Sequence, residues 1–433
     1  MRVALILALS AAPLFAAPIA LPAKDNAATI TTDSDSMSAA RRTVVAAGLY
    51  AAVRMYFAHW YDVPDLDFDE AFAAYTEEAM AAPDRRGFTL ASLALLVQLG
   101  NSHTGFRDGA LFDDAGRLHG FSVRYIEEEW VVSRSARDDV RPGDVIRSID
   151  GQPIESFYGD VARYISASTE RHRRWRLFDR WYRFLFPLRY TLTMADGREV
   201  VVDRSGRAER DELATEGRWL QDGRIAYIRV PSWNGSQFQE RALELLEEYA
   251  GAAALVVDVR DNGGGSTPVS FINALMERPW RWWAESTPMH LALFSYYAAR
   301  ERSGFSDFAR PQMSWPASTQ EGDSTFTGRL VILVNEGCHS ACEDFVMPFK
   351  DNGRATLVGE ATAGSTGQPF YADIGDRMGF AVGAKREYFP DGSQFEGVGV
   401  MPDIRVVPTP AELRAGRDVV LERALAEISS GAR

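Results

Sequence analysis

A serine with small neighbours stands where a predicted buried strand passes into a predicted helix. Ser340 lies in the stretch Gly-Cys-His-Ser-Ala-Cys-Glu, after the apolar run 330–334 and before the helix-like run 341–350. Unpaired backbone N–H groups and the positive end of the helix dipole gather at a helix N-terminus, where they stabilise a developing oxyanion. Because serine is also a favoured helix N-cap, this segment alone indicates either a nucleophile or an ordinary cap.

Two other segments have side chains or backbone suited to catalysis. A predicted buried strand, 255–259, runs into three consecutive glycines, 263–265. Glycine lets a backbone approach a ligand closely and aim its N–H groups, although a plain strand-to-helix turn is the alternative. His103, one of six histidines, lies in the small polar turn 100–105 at the end of an amphipathic helix. A packing or surface histidine is the alternative there.

In this order, the three segments resemble those of the tail-specific, or C-terminal-processing, serine peptidases. Residues 258–265 match the D-x-R-x-N-x-G-G segment of that family, and residues 358–364 match its V-G-E-x-T-x-G segment. The nucleophile of its S-A-S-A-S-E segment falls on Ser340, and the closing glutamate falls on Glu343. The resemblance covers most of residues 40–430 and implies an α/β fold with a ClpP/crotonase-like spiral core. It also implies a peptide or protein substrate.

At the position of the general base, this sequence differs from one branch of that family. The Lys-dependent branch has a G-K-G turn after the last motif, but here the lysine position is Ser365. The chain has only three lysines, and none has that spacing: Lys24, Lys350 and Lys385. A Ser–Lys dyad is therefore not expected, and a serine hydroxyl without a base is a poor nucleophile.

The other branch, typified by the tricorn core protease, uses a Ser-His pair and a distant glutamate. Ser102 and His103 resemble that pair, and residues 394–403 resemble the E-G-x-G-V-x-P-D segment, which places the acid at Glu396. The resemblance implies that His103 takes the proton of Ser340, and that Glu396 orients His103 directly or through Ser102. The acidic limb of the activity profile is then expected at a histidine-like pKa of roughly 6–7.

The oxyanion hole is expected to be formed by the N–H groups of Gly264 and Ala341. No cofactor is expected, and no Cys/His spacing matches a zinc site. The alternative function is a non-catalytic relative of the same fold that binds a hydrophobic ligand or a peptide. The complete set Ser340, His103 and Glu396 favours the enzyme.

The chain has 433 residues, a hydrophobic fraction of 46% and a formal net charge of −13. This acidity argues against a nucleic-acid partner. Residues 1–23 are interpreted as a signal peptide and 24–37 as a linker, so we expect a bacterial protein exported to the periplasm or secreted. A helical module, 38–112, precedes a PDZ-like β-domain, 113–206, and the peptidase core, 207–430. The oligomeric state is not evident from the sequence.

Within the core, the patterns predict strands at 225–230, 255–259, 331–335 and 355–359. They predict helices at 237–249, 341–349 and 411–428. The PDZ-like domain contains a basic, aromatic insert, 168–186. It is interpreted as an amphipathic helix packed on the body, with peripheral membrane contact as the alternative. Cys338 and Cys342 are interpreted as two buried thiols, with a disulfide as the alternative.

Overall fold

The computed structural model describes residues 37–206, 213–221, 223–289 and 312–430. The expected signal peptide and all of the linker except Met37 lie outside these ranges. Among the described residues, none of the helices combines the length and the apolar content needed to cross a bilayer.

Helices dominate the first part of the chain. They are α1 (Ala39–Tyr56), α2 (Phe68–Ala81), α3 (Arg85–Val97) and α4 (Gly109–Asp114), and strand β1 (Gly105–Asp108) precedes α4. The side chains of Ser38, Asp67 and Asp84 cap the first three helices by accepting backbone N–H groups. Each cap satisfies donors that the helix itself leaves unpaired.

The helical module does not close its hydrophobic core by itself. Strand β1 pairs antiparallel with β18 (Met378–Gly383), which pairs with β17 (Pro369–Gly375). Leu49 and Phe88 of the helices share one buried cluster with Met378 and Phe380 of this hairpin. The segment that carries His103, between α3 and β1, is therefore fixed from both sides.

The second part of the chain is an antiparallel β-domain. Its strands are β2 (Phe121–Ile126), β3 (Glu129–Ser135), β4 (Val145–Ile149), β5 (Gln152–Pro153), β6 (Arg189–Met194) and β7 (Glu199–Asp203). The strand order is β2-β3-β4-β6-β7, with β5 paired to β4. Helices α5 (Ile154–Val161) and α6 (Glu170–Arg176) lie between β5 and β6 in the chain. Trp130, Ile146 and Leu192 are fully buried at its centre.

Helix α6 connects this β-domain to the rest of the molecule. The guanidinium of Arg174 lies 3.9 Å from the ring centroid of Tyr125 on β2 and 4.7 Å from that of Tyr158 on α5. Arg174 also forms an ion pair of 2.9 Å with Glu155 of α5. At the start of the helix, Thr169 donates its hydroxyl to the carbonyl of Ala363 (2.8 Å) in the core. The helix is therefore held by both bodies at once.

Most arginines of the 168–186 insert are bonded within the protein. Arg171 donates to the carbonyl of Thr362 at 2.9 Å, and Arg183 donates to the carbonyl of Phe112 at 2.7 Å. Arg173 forms an ion pair with a neighbouring glutamate. Trp181 stays about half exposed. This arrangement favours the packing interpretation of the insert over a membrane contact.

The third part is an α/β core, as predicted. Its main sheet has the order β20-β16-β15-β10-β9-β8. The strands are β8 (Glu216–Leu220), β9 (Ile225–Arg229), β10 (Ala254–Asp258), β15 (Arg329–Val334), β16 (Ala355–Gly359) and β20 (Ile404–Arg405). All neighbouring pairs are parallel except β8–β9. The four predicted buried strands are confirmed, apart from one or two residues at some ends.

Helices cover both faces of this sheet. They are α7 (Ser236–Glu248), α8 (Val269–Leu275), α9 (Ala341–Asn352), α10 (Pro410–Arg414) and α11 (Val419–Ser430). The single helix predicted for 411–428 was wrong. The chain breaks at Gly416, which has a φ of 69°, and Asp418 caps the N-terminus of α11 by accepting the N–H of Leu421.

Short strands complete the fold beside the sheet. β11 (Trp280–Arg281) pairs with β14 (Thr319–Gln320). β12 (Ala284–Pro288) pairs with both β13 (Gln312–Trp315) and β19 (Arg386–Tyr388). The connection after β19 leads to Glu396.

Candidate active site

Ser340 occupies a constrained turn between β15 and α9. Its φ is 58° and its ψ is −126°, a conformation that costs free energy for a residue with a side chain. Its N–H donates to the carbonyl of Ser365 at 3.1 Å, and the N–H of His339 donates to the carbonyl of Asn262 at 3.1 Å. Because the turn is held from two other loops, the hydroxyl of Ser340 is presented at the start of the helix.

The glycine segment after β10 lies directly against this turn. Gly264 has a φ of 88°, and a Cβ placed on it would lie 2.8 Å from the Cβ of Ser340 and 2.6 Å from the carbonyl oxygen of His339. Only glycine fits this position without moving the serine turn.

His103 approaches Ser340 from the helical module. Its Nε2 lies 2.9 Å from the Oγ of Ser340, and its Nδ1 lies 3.1 Å from the Oγ of Ser365. Its backbone N–H donates to the Oδ1 of Asn101 at 3.0 Å, and the hydroxyl of Thr104 accepts the N–H of Gly383 at 3.0 Å. The β1–β18 pairing and these hydrogen bonds hold the imidazole in place.

Glu396 is buried behind His103. Its Oε1 accepts the amide of Asn101 at 2.9 Å and the hydroxyl of Ser168 at 2.8 Å. The Oε2 of Glu396 has no hydrogen-bond partner among the described residues, and the neighbouring Ser365 acts to lower the pKa of this carboxyl. Burial has the larger effect and raises the pKa of Glu396.

The structure differs from the expected link between Glu396 and His103. The hydroxyl of Ser102 accepts the N–H of Ser168 at 2.9 Å instead of facing the imidazole. This N–H precedes α6 and needs an acceptor, which explains the orientation. The Nδ1 of His103 faces the hydroxyl of Ser365 instead. The sequence showed Ser365 only as the place of a missing lysine, and its hydroxyl was the signal that was overlooked.

The two expected oxyanion donors have different surroundings. The N–H of Gly264 donates to the Oδ1 of Asn262 at 2.9 Å. Within the described part of the chain, the N–H of Ala341 has no acceptor. The N–H of Ala341 is thus available to an oxyanion, whereas the N–H of Gly264 can donate to one only after its hydrogen bond to Asn262 breaks.

Glu343 ties the serine turn to the loop of Ser365. Its carboxylate accepts the N–H of Gly364 at 2.7 Å, that of Ser365 at 2.9 Å and that of Ser340 at 3.3 Å. Burial raises its pKa to about 8, and hydrogen bonds from Thr362, Ser365 and Gly364 oppose this rise. This residue therefore orients both hydroxyls without touching the cleft.

Three imidazoles lie in contact beside the nucleophile, where His339 stacks on His103 and meets His172 edge-on. The ring centroid of His339 lies 4.7 Å from that of His103 and 4.9 Å from that of His172. Burial, together with a smaller effect of the positive charge of Arg176, lowers the pKa of His103 to about 3. His103 is thus neutral at neutral pH, as a general base must be. This lowered pKa argues against the expected acidic limb near 6–7, because the imidazole is largely removed from solvent.

The site opens onto a large cleft, and none of the described residues that line this cleft is a lysine. His103, Ser340 and Gly264 line a cavity of about 1030 Å³. Lys350 is paired with Asp403, and Lys385 forms ion pairs with Glu285 (2.7 Å) and Glu387 (3.1 Å). In the described ranges, no group of three or more His, Cys, Asp or Glu residues is arranged to hold a metal ion.

Cys338 and Cys342 are joined by a disulfide bond, with their Cα atoms 5.3 Å apart. The preference for two separate thiols was therefore wrong. The tight turn that leads into α9, closed by the hydrogen bond from the N–H of Cys342 to the carbonyl of His339, brings the two residues within the range that a disulfide spans.

Residues 224–406 match the model of peptidase family S41.

Among curated proteins, the chain is 29% identical over 248 residues to a carboxyl-terminal-processing protease of Synechocystis sp. (strain ATCC 27184 / PCC 6803 / Kazusa). That match covers 55% of this chain and 52% of the relative. It is 30% identical over 189 residues to a chloroplastic C-terminal processing peptidase of Tetradesmus obliquus, covering 42% of this chain and 35% of the relative. The chain thus spans about half or less of the length of these relatives.

Among solved structures, mature CPAF superposes with a TM-score of 0.70 at 14% identity, covering 91% of this chain and 98% of that one. The photosystem II D1 C-terminal processing protease superposes with a TM-score of 0.51 at 20% identity, covering 88% of this chain and 99% of that one. These likenesses concern the fold.

Proposed function

We propose that this protein is a serine peptidase that cleaves peptide bonds through an acyl-enzyme on Ser340. The observation that supports this most directly is the 2.9 Å contact between the Nε2 of His103 and the Oγ of Ser340. This distance allows direct proton transfer from the hydroxyl to the imidazole. The low pKa of His103 keeps the acceptor nitrogen unprotonated.

A continuous order of donors and acceptors supports the role of Ser365. Since Nε2 must accept from Ser340, the proton of the neutral ring belongs on Nδ1, which donates to the Oγ of Ser365 at 3.1 Å. The hydroxyl of Ser365 then donates towards the carboxylate of Glu396. When His103 becomes positively charged, this relay orients the ring and places a buried carboxylate near its charge.

The reaction follows from these positions. The Oγ of Ser340 attacks the substrate carbonyl carbon while His103 takes the hydroxyl proton. The N–H of Ala341 binds the oxyanion, and His103 returns the proton to the leaving amine. A water molecule, deprotonated by His103, then attacks the ester carbonyl and releases the acid product together with free Ser340.

A fluorophosphonate probe tests this function. The oxidised protein is expected to be labelled stoichiometrically, and peptide mapping should place the label on Ser340. Ser340→Ala should remove both labelling and hydrolysis of a peptide library, with an unchanged unfolding temperature, because only one hydroxyl is lost. A protein that folds, binds peptides or apolar ligands and is not labelled would instead support the non-catalytic binding alternative.

We also propose that the substrates are polypeptides cut near their C-termini, as the names of the curated relatives describe for those proteins. Peptide pairs with a free or an amidated C-terminus distinguish this from general endopeptidase activity. Export is proposed from the apolar segment 3–15 and the small residues after it. Expression with and without residues 1–23, followed by fractionation, tests the export.

A further inference from the structure

The disulfide between Cys338 and Cys342 encloses the catalytic turn. Ser340 and Ala341 lie inside the five-residue loop that the bond closes. Both half-cystines are fully buried, and they are the only two cysteines of the sequence. Any effect of a thiol reductant on this protein must therefore act through this one bond.

The bond constrains the part of the backbone that most needs constraint. Ser340 has a positive φ, which an unconstrained chain avoids for a residue with a side chain. A loop this short removes little entropy from the unfolded chain compared with a long one. The effect expected from its position is thus local, on the direction of the Ser340 hydroxyl and of the Ala341 N–H.

Hydrogen bonds also hold this turn, and the disulfide adds a covalent constraint to them. The carbonyl of Cys338 accepts the N–H of Ala363 at 2.9 Å, and the N–H of Cys342 donates to the carbonyl of His339 at 3.1 Å. These bonds fix the two ends of the loop to their neighbours. The covalent bond fixes the two ends to each other across Ser340.

We propose that the Cys338–Cys342 disulfide positions the nucleophile and the oxyanion donor, so that the peptidase reaches full turnover only when this bond is oxidised. The inference rests on the proposed peptidase function. Reduction by a dithiol transfers two electrons and two protons: the S–S bond breaks, two thiols form, and the dithiol becomes a disulfide. The same exchange with an oxidised dithiol restores the bond, as in compartments where disulfides persist.

The experiment compares the oxidised protein with the protein reduced by dithiothreitol under anaerobic conditions. Thiols are counted by alkylation and mass spectrometry, and active sites are titrated with the fluorophosphonate probe. Expressed per titrated site, kcat should fall at least tenfold on reduction, KM should change less than twofold, and reoxidation should restore kcat. A general loss of folded protein would lower the number of titrated sites and leave kcat per site unchanged.

The double variant Cys338→Ala/Cys342→Ala is the matched control. It should show the low kcat of the reduced protein and no response to dithiothreitol. If this variant does not fold, the reduced wild-type protein, whose sequence is unaltered, still gives the answer. Equal kcat per site in the two redox states of the wild type overturns the inference. Absence of labelling and hydrolysis in the oxidised protein instead overturns the proposed function.

Discussion

Replacement of Ser365 by alanine tests the central feature of the site. The variant removes the hydroxyl that accepts from the Nδ1 of His103 at 3.1 Å and leaves the backbone bonds of Ser365 to Ser340 and Glu343 intact. The buried imidazole then lacks an acceptor on the side facing Glu396. Its tautomer is no longer fixed, and its charged form is less stabilised.

The size of the effect follows from the charge that develops on His103. A hydrogen bond to a charged group contributes about 1.5–3 kcal/mol. Each 1.36 kcal/mol of barrier changes the rate about tenfold. We therefore expect kcat to fall roughly 10- to 150-fold, with KM nearly unchanged, because the lost bond strengthens in the transition state.

Ser102→Ala is the matched comparison, since Ser102 is also a buried serine beside His103. Its hydroxyl faces Ser168 and not the imidazole. We expect a fall in kcat of less than about fivefold, transmitted only through the bond between Ser168 and Glu396. Both variants are assayed with one peptide substrate, with kcat expressed per fluorophosphonate-titrated site. A Ser102 variant more impaired than the Ser365 variant would refute the proposed relay.

Four further changes test other parts of the site. Glu396→Gln should lower kcat with KM preserved, as steady-state kinetics will show; an unchanged kcat would remove Glu396 from the relay. Gly264→Ala should abolish turnover, because its Cβ would meet Ser340; retained activity would contradict this packing. Lys385→Ala should lower the unfolding temperature by unpairing two glutamates and leave kcat per site within about threefold, whereas His103→Ala should cost several orders of magnitude. Because burial lowers the pKa of His103 to about 3, kcat/KM should persist as the pH falls below 6.5; an acidic limb at 6–7 would show that the ring is solvated.

The same shift has a consequence for stability. A histidine whose pKa is lower in the folded than in the unfolded state stabilises the fold above about pH 6.5, and this stabilisation is lost as the pH falls towards the folded value. Burial lowers the pKa of His103, His172, His339 and His119 alike. Their contribution is therefore present at neutral pH and decreases on acidification.

Local patterns predicted the strands and the main helices of the core because apolar runs and glycine clusters record burial directly. Motif spacing also identified Ser340, His103 and Glu396, which the structure brings to one site. The role of Ser365 was missed because the sequence shows only that a serine replaces the lysine of the related branch. Its contact with His103 becomes visible only in the structure. The contacts of Asn101 and Ser168 with Glu396 join residues 295 and 228 positions apart, and no local pattern encodes such distances.

The candidate active site lies between two bodies of the molecule, and the pairing of β1 with β18 holds one of them together. His103 belongs to the body of helices and hairpin, whereas Ser340 belongs to the α/β sheet, 237 positions further along the chain. A chain in which these bodies have not yet docked has a complete serine turn and no base beside it. Newly synthesised chains should therefore be unable to cleave one another until folding is complete. On heating, activity should be lost at a lower temperature than the one at which the α/β sheet unfolds.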